Sequence, residues 1–118
     1  MYGLKATTSL SFLVDRKMEQ LRIGLYEIQL RFDGDVSISV QSEMIFENNK
    51  ELTNIKSDEP AQTITLWPLL GDSVLRYAII EPGSLVLNFR NHRNLTICDT
   101  NTTFESYVIW EKGNSIAV

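Results

Sequence analysis

Ile28-Gln29-Leu30-Arg31-Phe32-Asp33-Gly34-Asp35-Val36-Ser37-Ile38-Ser39-Val40 carries the clearest structural signal in the chain. Apolar and polar residues alternate on both sides of Asp33-Gly34-Asp35. A period of two marks a strand with one buried face, and Asp-Gly between two such runs marks a hairpin turn. Ile28, Leu30 and Phe32 therefore point into a core, and Val36, Ile38 and Val40 return on the same side. Met44 and Phe46 keep that parity, so the second strand is expected to run long.

Upstream, Leu21, Ile23 and Leu25 alternate in the opposite phase. The phase flip requires a turn or bulge at Gly24-Leu25-Tyr26-Glu27. The pattern then recurs. Val14 to Ile23 is answered by Leu70 to Ile79, Ile28 to Phe32 by Leu85 to Phe89, and Val36-Ser37-Ile38 by Leu95-Thr96-Ile97. Glu81-Pro82-Gly83-Ser84 reads as a type II turn. The expected architecture is all-β with minor short helical turns. It is an antiparallel sandwich or a curved, partly closed sheet, built from two three-stranded meander repeats. One domain spans residues 1–118, with pseudo-repeats at about 12–46 and 68–99 and a C-terminal hairpin at 104–118. Phe32 and Phe89 are expected to be buried on strands related by an approximate two-fold axis.

The intervening segments carry weaker signals. Residues 1–8 read as a loose arm, and Ser9 to Val14 as one helical turn or an extended lead-in. The polar run 47–62 reads as a connecting loop and the most mobile internal segment. Thr63-Ile64-Thr65-Leu66 alternates like a short strand. Trp67-Pro68-Leu69-Leu70-Gly71 reads as a single helical turn, with Pro68 at its start and Gly71 at its exit. No helix longer than about two turns is expected.

The 118 residues carry a net charge of −4, and 43% of them are hydrophobic. An acidic chain of this kind is a poor partner for nucleic acid or an anionic membrane surface, both of which select basic faces. No apolar run approaches membrane-spanning length, and the first residues lack the pattern of a signal peptide. A single cysteine, Cys98, excludes an internal disulfide and leans towards a reducing cytosol. The sequons at Asn94 and Asn101 are then coincidental.

No catalytic constellation emerges. His92, the single histidine, sits at a predicted hairpin tip with no positioned partner. Cys98 lies at the far end of the same strand, beyond reach of that histidine as a base. Asp33-Gly34-Asp35 begins like a calcium loop, but Met44 stands where the twelfth-position glutamate would be. Asp33, Asp35 and Asp72 are the carboxylates an enzymatic reading would use. Asp58-Glu59 reads as a solvated acidic pair. Trp67, beside Pro68-Leu69-Leu70, is expected in the core. Glu105, Tyr107 and Trp110, near Phe104, are the candidates for an exposed binding patch. No cofactor and no metal are expected.

Three segments resemble a family of small uncharacterised bacterial proteins catalogued as a domain of unknown function. They are Leu69-Leu70-Gly71-Asp72-Ser73-Val74 (an L-L-G-x-x-V opening), Leu85-Val86-Leu87-Asn88-Phe89 (an L-x-L-x-F strand) and Phe104-Glu105-Ser106-Tyr107 (aromatic-Glu-Ser-aromatic). Leu30 to Asp35 fits the same style, whereas Asn91-His92 stands where the family often has a glycine-containing turn. The resemblance implies no reaction, cofactor or catalytic residue. Some such proteins travel with toxin systems as immunity factors, so it implies an immunity-type role as one version of protein binding. The expected function is that of a non-enzymatic, cytoplasmic, protein-binding β-domain, monomeric or weakly dimeric through an edge strand. The alternative is a small-ligand binder with aromatic residues lining a cavity between sheets.

Overall fold

The structure, a computed structural model, describes residues 4–56, 58–100 and 105–118. The described strands are β1 (Met18–Ile23), β2 (Ile28–Phe32), β3 (Val36–Val40), β4 (Met44–Asn48), β5 (Glu51–Ile55), β6 (Val74–Ile80), β7 (Ser84–Phe89), β8 (Arg93–Ile97), β9 (Tyr107–Glu111) and β10 (Asn114–Ala117). They form two antiparallel five-stranded sheets, ordered β1-β2-β3-β9-β10 and β5-β4-β8-β7-β6. The all-β sandwich is the expected fold class, and neither sheet closes into a barrel. The period-two residues face inward as their alternation requires. Ile28, Leu30, Phe32, Val36 and Ile38 from one sheet meet Phe46, Leu85, Leu87, Phe89 and Leu95 from the other in one buried apolar cluster.

Each meander ends on a strand that its own following hairpin does not cover. β4, carrying β5 on its far side, leaves the first sheet and pairs with β8 in the second, whereas β9, carrying β10, crosses back to pair with β3 in the first. Read from β1 and from β6, the two sheets have the same order of elements. Their details match as well. The register slips between Met18 and Gln20 against β2, and between Val74 and Arg76 against β7, so both edge strands carry a bulge at the same place.

The halves are joined at a seam around the bridge Lys17↔Ser73. Met18 N–H donates to the Asp72 carbonyl at 2.9 Å, and Val74 N–H donates to the Arg16 carbonyl at 2.9 Å. Gly71 N–H donates to Met18 at 2.8 Å, and Asp15 N–H to Val74 at 2.7 Å. These bonds form pairs related by exchange of the halves. Asp15 and Gly71 both adopt the left-handed conformation that turns the chain into the seam, with φ of 69° and 86°.

Several local expectations change. Residues 47–62 are not one loop. The stretch holds the end of β4, all of β5 and the start of a 3-10 helix, η2 (Pro60–Leu69). Asn49 and Lys50 turn the β4–β5 hairpin with φ of 52° and 70°, as a two-residue type I′ turn requires. The alternation at 63–66 is helical rather than extended. Pro68 lies inside η2, which is longer than the expected two turns. The helical turn upstream is η1 (Ser11–Leu13), without a side-chain cap. Within the proposed arm Leu4 is buried. The Glu81–Pro82 bond is cis, and Gly83 stays outside the left-handed region that a type II turn needs. The third sequence match shifts by two residues, because Leu30 pairs with Ile38 and Leu87 with Leu95. Residues 1–3, Ser57 and 101–104, including Phe104 and the second sequon, lie outside the described residues.

Two stability measurements follow. Phe32→Ala and Phe89→Ala should each cost about 3–5 kcal/mol in chemical denaturation, since both rings are buried in the common core. Thr63 is fully buried and its hydroxyl has no hydrogen-bond partner among the described residues. Thr63→Val should therefore raise stability by about 1 kcal/mol, through removal of an unsatisfied polar atom.

Candidate functional site

η2 is where the surface departs from what the fold requires. A 3-10 helix has three residues per turn, so side chains at i and i+3 eclipse and stack into straight lines. Thr63, Leu66 and Leu69 form the inward line and are buried. The next line is Ala61, Ile64, Trp67 and Leu70, all exposed. Ile64 is 65% exposed, Trp67 66% and Leu70 45%. No charged residue lies between Pro60 and Leu70. The product is a straight, uncharged apolar ridge. The structure thus overturns the expectation that Trp67 is a core anchor: its neighbour Leu66 takes that place.

The other half of the molecule acts as an internal comparison. Leu70 N–H donates to the Trp67 carbonyl at 3.0 Å, and Val14 N–H donates to the Ser11 carbonyl at 3.1 Å. Asp72 to Leu69 and Arg16 to Leu13 form the next matching pair. Trp67 therefore corresponds to Ser11, Leu70 to Val14, and the bulge residue Leu75 to Glu19. The inward line is apolar in both halves, because Leu10 and Leu13 are buried like Leu66 and Leu69. The outward line is strongly apolar only in the second half. Packing accounts for the inward leucines and does not account for Trp67.

The candidates read from sequence are dispersed. Tyr107 and Trp110 stand on opposite faces of β9: Tyr107 is buried and Trp110 is 41% exposed. Glu105 is half-buried next to Ser106, whose hydroxyl donates to Asp99 Oδ1 at 2.9 Å. These three residues do not form one patch. Tyr107 closes one end of the sandwich, its hydroxyl donating to the Gly83 carbonyl at 2.5 Å. Burial, reinforced by the Asp99 carboxylate, pushes the Tyr107 phenol well above its ordinary range.

The potential catalytic groups have structural employment. Asp33 Oδ1 accepts the Lys17 N–H at 3.1 Å. Asp72 is buried, accepts the Ser73 N–H at 2.9 Å and pairs with Arg93 at 3.5 Å. Asp35 and His92 both turn hairpins, each with φ of 61°. Cys98 is buried, and burial together with the nearby Glu43 carboxylate raises its thiol pKa. An open cleft of about 280 Å³ beside it is lined by Glu43, Lys56, Asp58 and Thr100. Among the described residues no three His, Cys, Asp or Glu side chains converge as a metal site.

Comparison of the chain with protein-family models, with curated proteins and with solved structures gives no match.

Tyr107 provides a pH test. A phenol whose folded-state pKa is raised contributes stability that is complete below the unfolded value, about 10, and is lost as pH rises beyond it. Urea midpoints should hold between pH 8 and 9.5 and fall by pH 11. Tyr107→Phe, less stable at pH 8, should show a smaller fall over the same range.

Proposed function

We infer that the chain is a non-enzymatic β-domain that binds another protein, and that the ridge Ile64–Trp67–Leu70 is the contact surface. The observation that carries this reading is the contrast between Trp67 and Ser11 at corresponding positions: one scaffold position, polar in one half and a large exposed aromatic in the other. Exposed contiguous apolar patches on soluble domains commonly mark interaction sites, and tryptophan is prominent among binding hot spots. The structural employment of Asp33 and Asp72 supports a non-enzymatic role. The matching bulges, seam bonds and strand order support an origin in two copies of a five-strand unit, β1–β5 and β6–β10, whose outward surfaces diverged.

The single cysteine supports a cytoplasmic location. No helix among the described residues is long and apolar enough to cross a membrane. The net charge of −4 favours a basic partner, which electrostatic attraction would bring in faster at low salt. An immunity-type role against a basic toxin is the specific version of this reading. The ridge alone is small compared with the roughly 800 Å² per partner of a stable interface. The free protein is therefore read as monomeric or weakly dimeric.

Trp67→Ser tests the proposal. The variant should keep the thermal stability of the parent, because the indole is exposed. Pull-downs from the native host at low salt should recover a discrete polypeptide with the parent and with Trp110→Ser, but not with Trp67→Ser. Equal recovery with all three proteins would remove the ridge as the contact surface.

A further inference from the structure

The outer face of the first sheet carries a second surface, separate from the ridge. Cross-strand register places Gln20, Arg31, Ser37, Trp110 and Ser115 in one row on that face. Paired residues of neighbouring strands share a face. The adjoining row brings Gln29, Ser39 and Val108 beside them, with Arg22 at its end. Trp110 is flanked across the strands by Ser37 and Ser115, both too small to cover an indole. Arg31 stands two strands from Trp110, about 10 Å away between backbones. It has no ion-pair or hydrogen-bond partner among the described residues. The two rows hold two arginines and no carboxylate, in a chain of net charge −4.

The corresponding row of the second sheet is Arg76, Asn88, Asn94, Glu47 and Leu52. There the middle side chains satisfy one another. Asn88 Nδ2 donates to Asn94 Oδ1 at 2.7 Å, and Asn94 Nδ2 donates to Glu47 Oε1 at 3.4 Å. Glu47 occupies the place of Trp110, and Asn88 that of Arg31. One face is thus closed by its own hydrogen bonds. On the other, Arg22 donates to Gln20 and Gln29 to the buried Ser39, but the exposed part of the Trp110 indole, the Arg31 guanidinium and the hydroxyls of Ser37 and Ser115 are left to solvent.

We propose that this face binds an acidic oligosaccharide, with a sugar ring stacked on Trp110 and a uronate carboxylate held by Arg31. The C–H face of a pyranose is apolar and weakly electropositive, and suits the negative face of the indole. A carboxylate accepts two parallel bonds from a guanidinium. The hydroxyls of Ser37 and Ser115, on either side of Trp110, both donate and accept, as sugar hydroxyls do. The 10 Å between Trp110 and Arg31 accommodates a ring and the acidic group of a neighbouring sugar. Single-stranded nucleic acid also stacks on aromatics, but it brings a phosphate with every nucleotide and needs a strongly basic groove. Two arginines on an acidic chain do not provide one.

The test uses the full chain carrying Trp67→Phe, which leaves Trp110 as the single indole. Oligomers of galacturonate, glucuronate, and mannuronate with guluronate are titrated against its fluorescence, beside methyl-esterified galacturonate and poly(U). A saturable change with at least one uronate series is expected, weaker by at least fivefold for the neutral ester. By calorimetry, Trp110→Ala and Arg31→Gln should each weaken that binding at least tenfold. Asn88→Ala, on the opposite face, should leave it unchanged. The proposal is overturned by the absence of binding to every uronate series, by equal binding after Trp110→Ala or Arg31→Gln, or by tighter binding of poly(U).

Discussion

Backbone hydrogen bonding at the open sides of β3 and β8 is the constraint on which the rest of the molecule depends. A buried or half-buried strand edge needs a partner for its N–H and C=O groups. Each meander leaves one such edge, and each is filled by the hairpin of the other half. This exchange forces the two sheets to lie face to face, because β3 leads directly into β4 and β4 belongs to the opposite sheet. It also sets the strand order, and it makes both halves necessary for either sheet. The seam at Lys17 and Ser73 adds a second tie at the opposite margin. Between these two joins the apolar faces have one way to meet.

The parts of the fold that were readable in sequence are those with one wet and one dry face. β2, β7 and β8 are such strands, and their alternation matches their burial; β3 follows it except at Ser39, which is buried on the outer face. β5 escaped because it is an edge strand with little buried on either side, so its polar sequence carries no period. Its turn also lacked the usual glycine: Asn49-Lys50 does what Lys112-Gly113 does in the matching hairpin. The cross-sheet exchange leaves no local trace at all, because pairing between β3 and β9 depends on residues that are distant in sequence.

The surface was less legible than the core. Trp67 beside Pro-Leu-Leu resembles a core segment when the helix is taken as a single turn. The period-three line Thr63, Leu66, Leu69 was the available clue, and it implies an outward line through Trp67. Trp110 was identifiable as a candidate, but its grouping with Tyr107 ignored strand parity, which puts residues three apart on opposite faces. Arg31 gave no signal of its own in the sequence. Its place beside Trp110 arises from the crossover that sets β9 against β3.

That crossover has a consequence for synthesis. β9 and β10 complete the first sheet, yet they are the last strands of the described chain to leave the ribosome. Until they emerge, β3 offers an open edge and the first meander has no settled partner. Contacts such as Val36 with Glu111 span most of the sequence, and topologies rich in distant pairing fold slowly. The nascent first half is therefore the stage at which the chain is most exposed to pairing with the wrong strand. In a crowded polysome the nearest wrong strand is the same hairpin on a sister chain.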